Sequence, residues 1–172
     1  LSVGRFEPSL NTKHQDVLIE SFKLLSPKLP GWKLVLAGAS ASEEWLAKLK
    51  QKAGDADIEI VVNASYSDLC QLYSVSRIYW HAAGYGVDEL KNPELTEHFG
   101  ISTVEAISAG CIPLVVPFGG QREIVTDPAF HWTTPEELIA KTQTIAKSPP
   151  TWSPDIAQYS VENFANHLQS IL

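Results

Sequence analysis

Short apolar runs alternate with helix-like segments along nearly the whole chain, and this alternation restricts the fold more than any other feature. Runs such as LVLAG and IPLVV show no alternation of polar and apolar residues, which predicts strands covered on both faces. The predicted strands are residues 2–6, 33–37, 58–62, 78–81, 112–116 and, as the weakest pattern, 130–132. Strands that alternate with helices predict an α/β fold with a doubly wound, Rossmann-like parallel sheet of about six strands.

Helical patterns fill the stretches between these runs. The predicted helices are residues 14–25, 42–52, 67–74, 102–109 and 135–147. The last has the clearest start, because Thr134 can cap it, Pro135 suits its first position and Glu137 can complete a capping box.

Prolines divide the end of the chain from its body. Residues 149–154 contain three prolines and cannot form a helix interior, so they separate a body, residues 1–148, from a terminal part, residues 149–172. A final helix is predicted near residues 161–171, packed away from this body. Because the chain opens inside a predicted strand and contains no methionine, we expect it to be a piece of a longer protein.

The composition argues against several classes of protein. A chain of 172 residues, 44% hydrophobic and 19% charged, can bury the core of one globular domain. Its net charge of −7 argues against a nucleic-acid partner, which needs a basic face. No apolar run approaches the roughly 20 residues of a transmembrane helix, and no signal-peptide pattern is present. We therefore expect a cytoplasmic or membrane-peripheral protein.

Neither a metal motif nor a dinucleotide motif is present at a suitable place. Cys70 and Cys111 lack metal-ligand spacing and are interpreted as reduced core thiols, and the five histidines are dispersed. A D-x-D sequence, Asp55 to Asp57, falls at the amino end of the third predicted strand, opposite the edge where ligands bind. The G-x-G-x-x-G of dehydrogenases does not follow the first strand. We therefore expect neither a metal nor a cofactor.

Polar side chains and glycines follow every one of the first five predicted strands. In a parallel sheet the carboxyl ends of the strands share one edge, where ligands bind. The residues predicted at this edge are Arg5, Lys13, Gly38, Ser40, residues 63–65, Glu97, Gly100, Glu105 and the pair Gly119-Gly120.

The helix predicted near residue 101 would direct free N–H groups and a positive dipole end at this edge. Gly100 would let an anion approach the backbone closely, and Arg5 and Lys13 would add cations. Glu105, one turn into an apolar helix, is expected to be a buried carboxylate that leans back and accepts hydrogen bonds from a ribose. Glu97 precedes the helix and could contact a sugar.

Simpler interpretations remain open for three of these residues. Glu97 could equally compensate the helix dipole. Arg5 could pair with Glu7, and Lys13 alone would be an ordinary solvated lysine.

Four motifs together resemble one family. Two glutamates in an E-x7-E pattern, Glu97 and Glu105, precede an A-G-x-x-P sequence at residues 109–113 and a G-G-x-x-E turn at residues 119–123. A glycine-arginine pair, Gly4-Arg5, opens the chain with Lys13 downstream. Over residues 1–147 the sequence resembles the C-terminal, donor-binding half of the family 4 retaining glycosyltransferases of the GT-B fold.

The resemblance implies a role for each site residue. The donor diphosphate would be held by Arg5, Lys13 and the segment Gly100, Ile101, Ser102 and Thr103. Glu105 would hold the ribose, and Glu97 would contact the donor sugar and assist catalysis. The nucleotide base would lie near Ala64, Ser65 and Tyr66, and no metal or cofactor would be needed.

The resemblance also implies the whole reaction. A hexose would pass from a GDP- or UDP-linked donor to a sugar or lipid-linked acceptor with retention of configuration. The EHFGI sequence at residues 97–101 favours GDP-mannose slightly. The acceptor would bind an N-terminal domain absent from this chain, so the chain alone would be inactive.

One segment departs from the family pattern, and three alternatives stay open. Residues 80–97 are longer than the usual link between strand and motif, and could shape the site or only decorate its rim. The alternatives are a nucleotide-sugar epimerase or phosphorylase of the same fold, a non-catalytic nucleotide-sugar-binding module, and a doubly wound module without a ligand.

Overall fold

The computed structural model describes residues 1–7, 12–151, 156–160, 162–163, 166 and 169. Five parallel strands lie in this part of the chain: β1 Ser2–Val3, β2 Leu34–Gly38, β3 Ile58–Val62, β4 Ile78–His81 and β5 Ile112–Val115. The first three pair in the order β1-β2-β3, and β4 pairs with β5. The backbone nitrogen of Leu1 donates to Ile78 and its carbonyl accepts from Trp80, at 2.9 and 2.8 Å. These two bonds join the parts in the order β3-β2-β1-β4-β5.

Two predicted strands are shorter or absent. Residues 2–6 form a strand only as far as Val3, and Phe6 makes a single isolated bridge to Ser40. The predicted strand at 130–132 is wrong, because Asp127 caps a 3-10 turn, Pro128–Phe130, by accepting from the Ala129 amide at 2.8 Å. Only an isolated bridge between Val115 and His131 remains at that edge. The described residues thus contain five strands rather than six.

All five helices predicted within residues 1–148 are present, with ends shifted by no more than one residue. They are α1 Gln15–Leu25, α2 Glu43–Ala53, α3 Tyr66–Val75, α4 Ile101–Ser108 and α6 Pro135–Lys147, and a short unpredicted helix, α5 Gln121–Ile124, follows β5. Thr134 caps α6 as expected, accepting from the Glu137 amide at 3.3 Å. The Glu137 carboxylate accepts from the amide of Thr133, one residue before the cap, at 2.7 Å.

Helices cover both faces of the sheet. On one face α1, α2 and α6 pack on side chains such as Leu36 and Trp80, and on the other α3 and α4 pack on Val35, Ala37 and Tyr79. Neighbouring residues of β2 therefore point into different layers, which is why its sequence does not alternate. The predicted doubly wound α/β fold is confirmed.

Two predictions on side chains and chain ends have mixed outcomes. Cys111 is buried, but Cys70 is exposed, so the expectation of two core thiols is wrong for Cys70. Of the predicted final helix at 161–171, the described residues 162–163, 166 and 169 are helical. The rest of that helix and residues 152–155 of the proline-rich segment lie outside the described residues. The domain boundary at residue 148 stays a prediction.

The described residues beyond that boundary touch the body. A 3-10 turn, Ala157–Tyr159, brings Tyr159 against Phe99 with ring centroids 5.6 Å apart and nearly perpendicular planes. Ile156 and Tyr159 also pack against the buried hydrophobic core on the face of the sheet that includes Leu36 and Trp80. Among the helices described, none has the length and apolar character needed to cross a membrane.

Candidate functional site

A cleft of about 590 Å³ opens at the carboxyl edge of the sheet. It lies where the strand order reverses between β1 and β4, the usual place for a ligand in a doubly wound sheet. Ten residues predicted from the sequence line it: Arg5, Lys13, Gly38, Asn63, Ala64, Glu97, Gly100, Ile101, Ser102 and Glu105. The structure therefore gathers most of the predicted site into one cavity.

The start of α4 forms the wall of the cleft that suits an anion. Gly100 precedes the helix with φ of 102°, a left-handed conformation that favours glycine. Within the described residues, the amides of Ile101 and Ser102 have no acceptor, so both are available to a ligand. Ser102 also has its hydroxyl hydrogen-bonded to the buried Tyr79 hydroxyl at 2.8 Å.

Thr103 does not belong to this wall. Its amide donates to the Gly100 carbonyl at 2.9 Å, and its side chain is fully buried. The first turn of α4 thus already uses the Thr103 amide, and a contact of Thr103 with the diphosphate stays a prediction.

The turn from Glu97 to Gly100 rests on the glycine pair after β5. The Gly120 amide donates to the Glu97 carbonyl at 2.8 Å. A Cβ at Gly119 would stand 2.2 Å from that carbonyl oxygen, and one at Gly120 would stand 2.6 Å from the Phe99 carbonyl. The pair does not line the cleft; it allows two backbones to approach and fixes the turn that carries Glu97.

Glu97 is bound by two side chains through a single oxygen. Lys13 Nζ lies 2.5 Å from Oε2, and His81 Nε2 lies 3.0 Å from the same atom. Burial would raise the pKa of the Glu97 carboxyl, but the hydrogen bonds and charges of His81 and Lys13 outweigh it and lower this pKa to about 2. Glu97 is therefore ionised at neutral pH.

His81 is the site residue that the sequence analysis missed. It is the last residue of β4, 2% exposed, and it touches the carboxylate that heads the E-x7-E motif. Burial lowers its pKa from the usual 6.5 against the opposing effect of Glu97. A polar residue closing an apolar strand at the ligand edge was the available signal.

Glu105 lies in the cleft but is not buried. Its side chain is exposed, which contradicts the expectation from its apolar neighbours, since the polar face of α4 at this point opens into the cleft. Oε2 accepts from the Tyr73 hydroxyl at 2.9 Å. Burial chiefly, with Tyr79 and this hydrogen bond, raises the pKa of Tyr73, which keeps the phenol a donor.

The three residues predicted near a base have separate surroundings. Ala64 lines the cleft. Ser65 instead caps α3, since its hydroxyl accepts from the Asp68 amide at 3.2 Å and the Asp68 carboxylate accepts from the Ser65 amide at 3.1 Å. Tyr66 is exposed and lines an adjoining groove that shares Glu105 with the cleft.

The cations of the cleft differ in availability. Arg5 is exposed and, among the described residues, makes no ion pair, whereas Lys13 is held by Glu97. The alternative in which Lys13 is merely solvated is therefore wrong. Within the described ranges, no group of three His, Cys, Asp or Glu side chains is placed to hold a metal ion.

Together the sheet and cleft have the architecture of the C-terminal Rossmann-like domain of GT-B glycosyltransferases. Residues 1–151 match the model of the family "Glycosyl transferases group 1", and the chain belongs to that family. No curated protein matches it in sequence.

Solved structures share the fold at low sequence identity. The catalytic domain of cholesterol-alpha-glucosyltransferase from Helicobacter pylori is 23% identical with a TM-score of 0.60, each chain being covered over 86%. The C-terminal domain of the group 1 protein LpcC from Francisella tularensis is 19% identical with a TM-score of 0.65, over 86% of this chain and 74% of that one. Anabaena HepE, in complex with UDP and glucose, is 20% identical with a TM-score of 0.66, over 86% of this chain and 39% of HepE.

Proposed function

We propose that this chain is the donor-binding domain of a family 4 retaining glycosyltransferase that transfers a hexose from a nucleoside-diphosphate sugar. The observation that carries the proposal is the single cleft that joins two cations, a free helix N-terminus and two carboxylates. The cations and the helix N-terminus suit the phosphates of a sugar nucleotide, and the carboxylates suit its hydroxyls. Membership of the family supports the same reaction class.

The diphosphate would lie against Arg5, Lys13 and the amides of Ile101 and Ser102. Arg5 is ready to form a forked pair with phosphate oxygens, because no described carboxylate occupies it. The helix dipole and the two free amides favour the same negative charge. These groups act together on one side of the cleft.

The two glutamates would divide the rest of the donor. Glu105 would accept hydrogen bonds from the ribose hydroxyls, with Tyr73 holding its Oε2 and leaving Oε1 for the ligand. Glu97 would contact the sugar, and its ionised state suits it to stabilise positive charge that develops at the anomeric carbon. The base would lie by Ala64 at the side of the groove lined by Tyr66.

We propose a UDP- or GDP-linked hexose as the donor and a sugar or lipid-linked acceptor bound by another domain of the longer enzyme. HepE supports a uridine nucleotide through its bound UDP and glucose. The EHFGI sequence favours guanosine. The proposed reaction needs neither a metal nor a cofactor.

Calorimetric titration of the chain with UDP, GDP and ADP tests the proposal. We expect saturable binding of one nucleotide, weakened about tenfold or more by Glu105→Ala, since a hydrogen bond to a charged group is lost. Glu94→Ala, which removes an exposed carboxylate outside the cleft, is the matched control and keeps the affinity. If none of the nucleotides binds, or if both variants bind alike, the donor-site assignment is wrong.

A further inference from the structure

A buried histidine supports the glutamate proposed to meet the sugar. His81 lies behind Glu97, with Nε2 at 3.0 Å from Oε2, and its own side chain is 2% exposed. Its other ring nitrogen, Nδ1, is also buried and has no hydrogen-bond partner among the described residues. Burial of a polar ring without hydrogen bonds is costly, and among the described residues only the contact of Nε2 with Glu97 offsets this cost.

The chemistry of the pair fixes the proton on the ring. An ionised carboxylate only accepts hydrogen bonds, so Nε2 of His81 must carry the hydrogen that lies toward Glu97. In a neutral imidazole Nδ1 then keeps a lone pair and no hydrogen. In this form Nδ1 buries only an unpaired lone pair. A doubly protonated ring would instead bury an unpaired N–H and a second positive charge beside Lys13, which costs more.

Lys13 and His81 differ in what a ligand can do to them. Lys13 lines the cleft, and its ammonium group is carried on a long flexible side chain. A diphosphate in the cleft would compete with Glu97 for that ammonium group. His81 is enclosed by the sheet and cannot be drawn to the ligand. When phosphate binds Lys13, His81 remains the fixed partner of Oε2.

We propose that His81 is a positioning residue: its Nε2–H holds Oε2 of Glu97, so that Oε1 is the oxygen presented to the donor sugar. This proposal rests on the proposed function, since it takes Glu97 as the sugar contact. No described side chain binds Oε1, which leaves that oxygen for the ligand.

The first test needs no ligand. Two-dimensional NMR of the ¹⁵N-labelled chain reports the tautomer of His81, and we expect the neutral Nε2–H form at pH 7 to 8. The charged groups that face the ring from neighbouring elements are Glu97 and Lys13, and the phenol of Tyr79 stands beside it with ring centroids 6.3 Å apart. A doubly protonated ring, or hydrogen on Nδ1, would overturn the proposal.

The second test separates the sugar from the nucleotide. His81→Gln keeps an N–H donor at about the reach of Nε2, whereas His81→Leu keeps volume and removes the donor. We expect His81→Leu to bind the nucleoside diphosphate as the wild type does but to lose about tenfold in affinity for the corresponding sugar nucleotide. His81→Gln should recover most of that loss. Equal losses for both variants, or equal losses for both ligands, would contradict a positioning role.

The two tests distinguish two failures. If the wild-type chain binds no nucleotide while the NMR spectrum shows the expected tautomer, the proposed function fails although the hydrogen bond exists. If nucleotides bind but the tautomer differs, the donor site stands and only the role of His81 is lost. If His81→Leu does not fold, the tautomer of His81 in the wild type still tests the proposal, and His81→Gln should still bind the sugar nucleotide nearly as the wild type does.

Discussion

At the scale of single residues, the main result is that one carboxylate organises the site. Lys13 comes from the loop before α1, His81 from the end of β4 and Glu97 from the turn before α4, yet all three meet at one oxygen atom. In the free chain the ammonium group of Lys13 balances the negative charge of Glu97, and His81 holds the orientation of the Glu97 side chain. A donor diphosphate would therefore compete with Glu97 only for Lys13, since no described side chain occupies Oε1 of Glu97.

The ionisation of Glu97 should appear in the acid dependence of stability. Because the native pKa of about 2 lies below the ordinary 4.5, this carboxylate stabilises the fold above pH 4.5, and the contribution fades as the pH falls toward 2. We expect Glu97→Gln to lower the free energy of unfolding at pH 7 by up to about 3 kcal/mol, with a difference from wild type that shrinks between pH 5 and 3.

Urea unfolding at pH 7, 5, 4 and 3 measures this difference. Glu94→Gln, a variant of an exposed carboxylate outside the cluster, is the control. A gap between Glu97→Gln and wild type that stays constant over this range would show that Lys13 and His81 do not stabilise the ionised carboxylate.

At the scale of elements, helix caps and glycine contacts place the site. The capping box of Ser65 and Asp68 starts α3 beside the cleft, and the glycine pair after β5 supports the turn before α4. Both devices act on the backbone and fix the starts of the two helices whose side chains line the cleft and the adjoining groove.

Ser65 should matter for stability rather than for nucleotide binding. Ser65→Ala removes the acceptor of the Asp68 amide, and we expect it to cost about 1 kcal/mol in the free energy of unfolding. Ser67→Ala, an exposed serine within the first turn of α3, is the matched control and should cost less. Urea unfolding and nucleotide titration of both variants check the prediction. A loss of nucleotide affinity in Ser65→Ala but not in Ser67→Ala would show that Ser65 takes part in binding the base.

Gly120 should be intolerant of a side chain although its own conformation suits any residue. With φ of −60°, alanine meets no backbone strain there, but its Cβ would stand 2.6 and 2.7 Å from the Phe99 and His98 carbonyls. We expect Gly120→Ala to destabilise the chain by about 1–3 kcal/mol and to weaken nucleotide binding as the turn moves.

Gly86→Ala provides the contrast. Gly86 has φ of 70°, and a Cβ added there would have no atom within 4 Å, so its variant carries backbone strain without a clash. Thermal unfolding and calorimetry of both variants separate the effects. Normal nucleotide affinity in Gly120→Ala would mean that the turn does not depend on this contact.

At the scale of the whole molecule, the described part of the C-terminal segment closes against the site. The ring of Tyr159 meets Phe99, which lies in the turn between Glu97 and Gly100, and its hydroxyl donates weakly to the Glu123 carbonyl at 3.4 Å. Tyr159 thus packs on a turn formed sixty residues earlier in the sequence.

Removal of this ring should loosen the turn. We expect Tyr159→Ala to cost about 1 kcal/mol of stability, the value of an aromatic pair, and to speed hydrogen exchange at the amides of residues 98–100. Tyr159→Phe keeps the ring and should resemble the wild type. Mass-spectrometric hydrogen exchange checks this, and unchanged exchange in Tyr159→Ala would mean that the segment does not restrain the turn.

The sequence predicted the sheet well because its signals are local. Apolar runs bounded by turns locate β2 to β5, and Thr134 locates the start of α6. The predicted strand at 130–132 failed because a proline turn and its aspartate cap outweighed a short apolar pattern. Residues at the ends of parallel strands could be gathered into one site by topology alone, without any knowledge of their contacts.

What the sequence did not predict are contacts between distant side chains. The Lys13–Glu97 pair spans 84 residues, and the Tyr73–Glu105 hydrogen bond spans 32. No pattern predicts such pairs, because each depends on where two loops end in space. The exposure of Glu105 was misjudged for a similar reason, since apolar neighbours in sequence do not reveal that a cleft lies above one face of α4.

The contacts that hold Glu97 in place make the geometry of the site independent of the length of the loop before it. The Gly120 amide holds the backbone of Glu97, and His81 holds its side chain. The position of Glu97 therefore does not depend on the length of the chain between β4 and the turn. Insertions and deletions there can accumulate without moving the carboxylate. The segment at residues 80–97, which the resemblance predicts to be longer than usual, is then a place where surface between His81 and Glu97 can be added without moving either side chain.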